Sequence, residues 1–469
     1  MDLTSFILSW SPVLLLTALA VGCKRPALEL SLYGVGFTAG LAILTCLLFG
    51  LTPAIQGART SPGEAMKATG RATTAGRGHF AVRRGLVVSQ IALSLVLLVG
   101  ALLFVRTLRN LVTLDAGFQR EHILINDIDL SPLRLPAATR VAYKQELLAR
   151  TRTIPGVISA ASVRVVPVSG NGWNDNISIP GTTVQRKIAD FNRVSPGYFR
   201  TVGTPLLAGR DFDDRDTAAS PRVAIVTEKF VNKFLAGTNP IGRTFGVVQQ
   251  GGKVDRIYQI VGLVRDTKYN DLREEFMPIV FVAEAQDDSP DLEAQFMIRS
   301  DAPLTDLIPA VKRTIAEVNP AMVLNFSVFD TMIREGLLRE RLMATLSGFF
   351  GFLAAILAMI GLYGVISYMV ARRRNEIGIR MALGADRSSI VALIMQEAGT
   401  LLGIGLTIGT VLALIAGSTA SALLFGLRPS DPWTLTMAAL SLAAVAAAAS
   451  FLPARRAATL DPMQALREE

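Results

Sequence analysis

The sequence predicts a multi-pass α-helical membrane protein of about six transmembrane helices with one large extracytoplasmic α/β (α+β) domain. Hydrophobic residues make up 51% of the 469 positions and charged residues only 18%, against about 25% charged residues in ordinary soluble domains. Six apolar windows are each long enough to cross a bilayer. The block 107–340 contains no such window, and its length suits a folded domain. This composition excludes a wholly soluble enzyme.

The charged and reactive residues exclude further functional classes. The net charge is +9, but the basic residues form short clusters beside apolar runs, which is typical of a membrane protein and argues against nucleic acid as a partner. The two cysteines, Cys23 and Cys46, and the two histidines, His79 and His122, have no metal-binding or catalytic spacing. We therefore expect no metal site, no cofactor and no enzymatic activity in this chain.

The six windows end where charged residues appear, because a charge at the bilayer centre costs roughly 2.5–3.5 kcal/mol. The windows are Leu3–Cys23, Leu30–Ile55, Gly85–Val105, Leu342–Ala371, Ala398–Leu427 and Pro432–Ala454. The first contains Pro12 and follows Asp2, so it lacks the basic start of a signal peptide. It is either a spanning helix or an interfacial segment.

Basic residues predict the orientation, since Lys and Arg in short loops remain on the cytoplasmic side. Residues 58–84 carry six basic side chains against the single acid Glu64, and five arginines follow the fourth window between Arg372 and Arg387. Both segments should therefore be cytoplasmic. Alternation then places both termini in the cytoplasm and residues 107–340 outside.

The large block has the pattern of an α/β domain. Strand-like apolar runs, bounded by Pro, Gly and Asp, occur at Ile158–Val166, Val223–Val226, Ile257–Val264, Ile279–Val282 and Ala294–Ile298. Helical periodicity covers Pro136–Ile154 and Leu304–Val318, and Pro309 places the expected start of the second helix near that residue. An acidic cluster at Asp211–Asp216 is either a calcium loop or a solvated turn, and the missing distal Glu of an EF-hand favours the turn.

An internal repeat indicates duplication. Five residues recur after a displacement of 400 positions, each time just behind an apolar window. They are Pro53, Ala54, Ala58, Pro62 and Ala65, matched by Pro453, Ala454, Ala458, Pro462 and Ala465. We expect the chain to start late in a first repeat and to contain a complete second one.

Three motifs lie near the predicted membrane helices, at Glu376–Ala385, Leu452–Ala457 and Asp461–Arg467. They resemble motifs of MacB/FtsX-like ABC-transporter permeases. In the large block, Val194–Phe199, Gly209–Phe212, Asn239–Gly242 and Ile260–Gly262 resemble the MacB-like periplasmic core domain of the duplicated orphan permeases found in acidobacteria. The resemblance covers nearly the whole chain, except that the amino end is short.

The resemblance divides the chain into segments. These are the last two transmembrane helices of a first FtsX-like repeat (1–57), a basic cytoplasmic linker (58–84), a transmembrane helix (85–106), the periplasmic core domain (107–340), a transmembrane helix (341–371), a cytoplasmic coupling helix (372–397), two transmembrane helices (398–454) and a cytoplasmic tail (455–469). The implied location is a bacterial inner membrane.

The resemblance also implies a function. A separate cytoplasmic ABC ATPase would drive changes in the periplasmic domain, in export or in the regulation of a partner, and a homodimer and a periplasmic partner are compatible with this. The sequence has no Gly-Lys-Ser/Thr phosphate loop of its own. A non-transporting scaffold or signalling protein would have the same helices and domain, and a membrane enzyme would need catalytic groups that the sequence does not suggest.

The candidate coupling residues follow the fourth window. They are Glu376, Ile377, Gly378, Arg380, Met381 and Gly384. Glu376 and Arg380 form an i, i+4 pair in the favourable order, and we expect Ile377, Met381 and Gly384 to present an apolar, closely packing face to the ATPase. A basic amphipathic helix beside a membrane is otherwise an interfacial lipid anchor.

Cysteine labelling tests the predicted topology. In a chain whose two native cysteines are replaced by serine, we expect a cysteine at Ser289 to react with an impermeant reagent in intact cells, and one at Ser388 to react only after lysis. Reaction at position 388 from outside would contradict the orientation.

Overall fold

A computed structural model describes residues 75–179, 188–248 and 253–459, with seven residues between positions 35 and 43. The predicted spans Leu3–Cys23 and Leu30–Ile55 therefore lie almost wholly outside the described residues, as do the first copy of the repeat and residues 460–469. The chain divides into two units, Met1–Arg83 and Arg84–Glu469. In the first unit, the described residues are helical stretches between positions 35 and 43 and the start of one long helix.

The described residues form ten α-helices and eleven strands, apart from the short stretches before residue 44. The helices are α1 (Ala75–Val112), α2 (Ala137–Arg152), α3 (Tyr198–Val202), α4 (Glu228–Phe234), α5 (Leu304–Val318), α6 (Phe329–Gly336), α7 (Leu338–Arg372), α8 (Arg374–Ala382), α9 (Arg387–Thr419) and α10 (Pro432–Ala458). The strands are β1 (Ile123–Asp129), β2 (Val157–Val163), β3 (Asn174–Ser178), β4 (Ile188–Val194), β5 (Leu206–Gly209), β6 (Val223–Thr227), β7 (Thr244–Val248), β8 (Val254–Val264), β9 (Ile279–Ala283), β10 (Glu293–Ser300) and β11 (Val323–Val328).

Four of the described helices are long and apolar enough to cross a membrane, namely α1, α7, α9 and α10. Each overlaps one predicted window, but the helices and windows differ at their ends. Residues 75–84, predicted as part of a linker, belong to α1, because arginine is a good helix former and extends the helix beyond its apolar part. The window ending at Leu427 runs past the end of α9 at Thr419 into an apolar loop.

Glycines allow three of these helices to pack closely. A Cβ atom on Gly409 of α9 would lie 2.9 Å from the Ala92 Cα of α1, and one on Gly405 would lie 2.6 Å from the Ile91 side chain. On α7, a Cβ atom on Gly351 would lie 3.2 Å from the Ala101 Cβ. Small residues at such contacts let helix backbones approach, which favours helix association in lipid. The helix α10 packs against both α7 and α9.

Residues 113–337, called the outer domain below, contain one mixed sheet of eleven strands. Strands β11-β1-β10-β2 form an antiparallel half covered by α2 and α5. Strands β4-β3-β7-β8-β6-β9 form a second half that closes into a ring, because β9 also pairs with β4. The strands β6 and β9 are buried along their whole length, as expected for continuous apolar runs covered on both faces.

The two halves of the sheet meet at a narrow junction. Strands β2 and β4 share a single registered pair, Val163 with Val194. Next to this pair, the side chain of Asn192 makes the hydrogen bonds that a neighbouring strand's backbone would otherwise make. Its Nδ2 donates to the Val165 carbonyl at 2.8 Å, and its Oδ1 accepts from the Val165 amide at 3.1 Å. Hydrogen bonds from side chains therefore complete the junction that the short strand pairing begins.

The five predicted strand runs are confirmed, whereas six further strands were not predicted. The helix α5 starts at Leu304 and not near Pro309, so that expectation was wrong. A proline in a helix removes the hydrogen bond to the carbonyl four residues earlier and crowds that carbonyl. For Pro309 this carbonyl belongs to Thr305, an exposed residue in the first turn of α5. The buried residues Leu307, Val311 and Ile315 form one apolar stripe across Pro309 and hold the helix on the sheet.

The core of the outer domain extends into the membrane helices. Leu111, near the end of α1, is fully buried in the same hydrophobic cluster as Phe281 and Met297, and Leu337, just before α7, joins this cluster. Val112, the next residue of α1, is exposed. The end of α1 therefore belongs structurally to the outer domain.

We expect Leu111→Ala to destabilise an isolated fragment of residues 107–340. Loss of a buried leucine typically costs about 2–5 kcal/mol, and each kcal/mol lowers the melting temperature of a domain of this size by roughly 2–4 °C. Circular-dichroism melts of the fragment measure the change. Val112→Ala, at the exposed neighbour, serves as the control, and equal melting temperatures for both variants would contradict the shared core.

Candidate functional site

The segment after α7 contains the predicted coupling residues. It consists of the short helix α8 and a turn at Leu383–Asp386, after which α9 begins. The stretch 372–397, predicted as one coupling helix, is therefore divided, and its last eleven residues belong to α9. The Asp386 carboxylate accepts from the Arg387 amide and caps the start of α9.

Gly384 ends α8 for a local reason. Its φ is +93°, a conformation that favours glycine. The Gly384 amide donates to the Met381 carbonyl at 3.1 Å, and the Ala385 amide donates to the Arg380 carbonyl at 2.9 Å, which is the Schellman pattern of helix termination. A Cβ atom on Gly384 would meet no described atom within 4 Å. Any substitution there strains the turn, whether or not a partner packs against it.

The other predicted coupling residues have different environments. Glu376 and Arg380 form the expected pair, with the Arg380 Nη2 at 2.6 Å from the Glu376 Oε1. Ile377 and Gly378 are buried within the chain itself, and Met381 is half-buried. The expected apolar face through Ile377 was therefore wrong in its orientation, because Ile377 packs inward.

The exposed apolar residues of this segment are Ile379 and Leu383, which are 48% and 83% exposed. They are four residues apart and so lie on the same side of a helical segment. Neither residue was among the predicted coupling residues. Their positions relative to Ile377 could have indicated their exposure. Residues two and six positions after a buried residue lie on a different side of the helix from that residue.

An ionic network joins α8 to two long helices. Glu397 of α9 binds Arg84 of α1 and also accepts from the Arg373 Nη1 at 2.8 Å. Arg373 lies 3.8 Å from Glu376, which in turn binds Arg380. The Glu397 side chain is largely buried, whereas the Glu376 side chain is half exposed. The position of α8 is thus linked to both α1 and α9 by charged contacts.

A second set of contacts joins the opposite ends of the long helices to one another and to the outer domain. Arg106 of α1 binds Asp431 and donates to Thr434 at the start of α10. Arg273 of the outer domain lies 3.2 Å from Glu340 of α7 and donates to the Leu423 carbonyl at 2.9 Å. The loop between α9 and α10 and the start of α7 therefore contact the outer domain directly.

Comparison with protein-family models identifies two regions of the chain. Residues 85–317 match the MacB-like periplasmic core domain, and residues 348–462 match the FtsX-like permease C-terminal region. The chain belongs to the MacB/FtsX-like ABC-transporter permease family. It is accordingly a membrane protein, and the family implies an ATPase partner, although some relatives are named ATP-binding/permease proteins.

Relatives of this family member include ABC transporter permeases of two bacteria. The uncharacterized permease YknZ of Bacillus subtilis is 27% identical over 287 residues, covering 60% of this chain and 70% of YknZ. The pyoverdine export ATP-binding/permease protein PvdT of Pseudomonas putida is 30% identical over 277 residues, covering 56% of this chain and 41% of PvdT. The crystal structure of the periplasmic region of MacB from Actinobacillus actinomycetemcomitans aligns with 48% of this chain and 97% of that structure, at 13% identity and a TM-score of 0.33.

The motifs that this permease shares with its family in the outer domain have structural roles. Tyr198 and Phe199, in the Val194–Phe199 motif, are buried against Phe281, with ring centroids 5.8 and 5.0 Å apart. Gly209 has a φ of +79°, and a Cβ atom there would lie 2.1 Å from the Val261 carbonyl oxygen. These residues fix the turn and the core of the ring.

Two of the four acids in the cluster at Asp211–Asp216 pair with arginines. The two terminal nitrogens of Arg210 donate to the two carboxylate oxygens of Asp216, each at 2.7 Å, and Arg215 binds Asp213 at 2.7 Å. Hydrogen bonds from Arg215 lower the pKa of Asp213 to about 2. No cluster of three or more His, Cys, Asp or Glu side chains suited to a metal occurs among the described residues.

The ionic network gives a testable difference between two acids. We expect Glu397→Gln to destabilise the full chain by about 1.5–3 kcal/mol, since it weakens hydrogen bonds to two charged groups. Glu376→Gln should cost less than about 0.5 kcal/mol, because its i, i+4 pair is exposed. Thermal unfolding of both variants in the same detergent measures this difference, and equal effects would show that Glu397 does not hold α8.

Proposed function

We propose that this chain is the permease subunit of a MacB/FtsX-type ABC transporter that transmits movement from a cytoplasmic ATPase to its outer domain, in export. Both termini and α8 lie in the cytoplasm, and the outer domain lies on the periplasmic side of a bacterial inner membrane. The basic segments 58–84 and 372–387 support this orientation. The chain itself is not an enzyme.

The main support for this proposal is that α1 is one continuous helix. Arg84, in the first part of α1, binds Glu397 of the ionic network, while Leu111, near its other end, is buried in the outer-domain core. The helix is unbroken between them and rises about 40 Å over this distance, at 1.5 Å per residue. A displacement of α8 can therefore reach the outer domain through one helix that is held at both ends.

A second path runs through α7. This helix begins directly after Leu337 of the outer-domain core and ends at Arg372, one residue before Arg373 of the ionic network. Glu340, near its start, binds Arg273 of the outer domain. Two helices thus connect the same pair of sites, which supports transmission by movement of helices as units.

The ATPase is proposed to be a separate subunit that contacts Ile379 and Leu383. Two large apolar side chains, 48% and 83% exposed on the same side of this segment, are suited to contact with another protein. The sequence contains no phosphate loop, so the partner must supply the backbone cradle and the magnesium-binding hydroxyl that phosphoryl transfer requires.

The test is to reconstitute the chain with a candidate ABC ATPase that binds it. Fluorescence between labels on cysteines at the exposed residues Ala138 and Ala219, one in each half of the outer domain, measures its change of shape on addition of ATP. We expect ATP to change the signal in the parent chain. Leu383→Glu should lower the apparent affinity for the ATPase by about tenfold or more, because a charge would be buried in the contact.

Ile257→Glu, at an exposed isoleucine of the outer domain, is the matched control and should leave the response unchanged. Leu383 is preferable to Gly384 as the test position, since substitution of Gly384 strains the turn by itself. A normal response of Leu383→Glu would contradict docking at this surface. No response in the parent chain, with an ATPase that binds it, would instead favour a non-transporting scaffold.

A further inference from the structure

A cleft of about 690 Å³ lies at the junction of the two halves of the outer domain. It is bounded by β2 and β10 of the antiparallel half and by β3 and β4 of the ring. Its volume falls within the range of small-molecule sites, roughly 300–1,000 Å³. Ligand sites commonly occupy such boundaries between structural units.

The lining of the cleft is charged. Its cations and acids include Lys144, Arg164, Arg193, Glu284, Asp287 and Asp291. A lining of this kind favours a polar ligand, because an apolar ligand would remove these charges from water without replacing their hydrogen bonds.

Two of the cations already have partners. The Arg193 Nη1 lies 2.8 Å from Asp287, and the Arg164 Nη2 lies 3.5 Å from Asp291. Both guanidinium groups also lie over the ring of Trp173, at 5.2 Å for Arg164 and 5.1 Å for Arg193. These interactions form a rigid wall, since cation–π contacts and the ion pairs restrain the same side chains.

Lys144 and Glu284 differ from these pairs. Lys144 is 6% exposed and lines the cleft, yet its ammonium forms no hydrogen bond or ion pair with any described residue. Glu284 is 8% exposed, and its carboxylate accepts one hydrogen bond among the described residues, from the Ser162 hydroxyl at 2.8 Å. Neither group belongs to the described buried side-chain atoms that lack a partner. Both charged groups therefore reach the open cleft, where they are accessible to a ligand.

The two groups act on each other without contact. Burial lowers the pKa of Lys144 and raises the pKa of Glu284, while the attraction between them opposes both shifts. The charged atoms of Lys144 and Glu284 are nevertheless more than 4.0 Å apart, so the two groups form no ion pair. A ligand between them would therefore need an anionic group beside Lys144 and a cationic group beside Glu284.

We propose that this cleft binds a free α-amino acid as a zwitterion, with the ligand carboxylate at Lys144 and the ligand ammonium at Glu284. An α-amino acid carries both charges on one carbon, which suits two opposite charges that are close but not in contact. The remaining volume along the Trp173 wall accommodates its side chain. This binding needs no ATPase, so its test is independent of the proposed coupling function.

The experiment is calorimetric titration of the full chain in detergent with alanine, arginine, glutamate and phenylalanine. We expect at least one of them to bind saturably, and the N-acetyl and amide derivatives of that amino acid to bind about tenfold more weakly or worse, because each lacks one charge. Absence of binding by all four, or equal binding of the derivatives, would overturn the proposal. Tighter binding of trialanine than of alanine would indicate that the site recognises a peptide, and this result would also overturn the proposal.

Variants locate the binding. Lys144→Met keeps the aliphatic stem and should weaken binding by about tenfold or more, whereas Lys312→Met, at an exposed lysine of α5, should leave it unchanged. Unaltered binding by Lys144→Met would overturn the assignment. If Lys144→Met does not fold, the comparison of derivatives on the unmodified chain still decides the question.

Discussion

The side chain of Leu111 lies at the end of a membrane helix and also inside the core of the outer domain, so these two parts cannot move independently. Leu337 makes the corresponding contact just before α7. Cores of this kind are packed to the density of organic crystals and resist continuous deformation. A shift of α1 or α7 must therefore either displace the outer domain as a body or rearrange its packing, which is the physical condition that the proposed transmission requires.

The register of the helices depends on a different set of contacts. Within a bilayer, helices gain little from burying apolar surface, because lipid chains are equally apolar. Close approach at Gly351, Gly405 and Gly409 supplies dispersion contacts but little resistance to sliding. Charged contacts at the two ends of α1, to Glu397 and to Asp431, add directional constraints. The small residues thus set the distance between helices, and the ion pairs set their position along the axis.

The sequence predicted the features that depend on local pattern. Long apolar windows predicted the described membrane helices, and continuous apolar runs predicted β6 and β9, because both signals require only the type of residue and its spacing. The strand β3 carries few such residues and β5 is only four residues long. Both are defined by pairing with distant partners, which no local pattern contains.

At the coupling segment, the pair of Glu376 and Arg380 could be predicted because its spacing is fixed by the helix. The inward orientation of Ile377 could not, since it depends on how α8 packs against the long helices. Gly384 shows a further limit: the same glycine suits close approach of a partner and termination of a helix, and only its φ of +93° distinguishes the two roles.

The end of β2 and the two residues after it relate the cleft to the core. Residues 162–165 all line the cleft, and two of them, Val163 and Val165, also belong to the core cluster that contains Leu111. The cleft therefore borders this core directly. The halves of the outer domain share the core and are joined by a single strand pair at the boundary. Rotation of one half against the other would change the width of the cleft, and it would also have to rearrange the shared core in which Leu111 is packed. A ligand bound at Lys144 and Glu284, as proposed, would oppose this rearrangement, and so would oppose the movement proposed for α1 and α7.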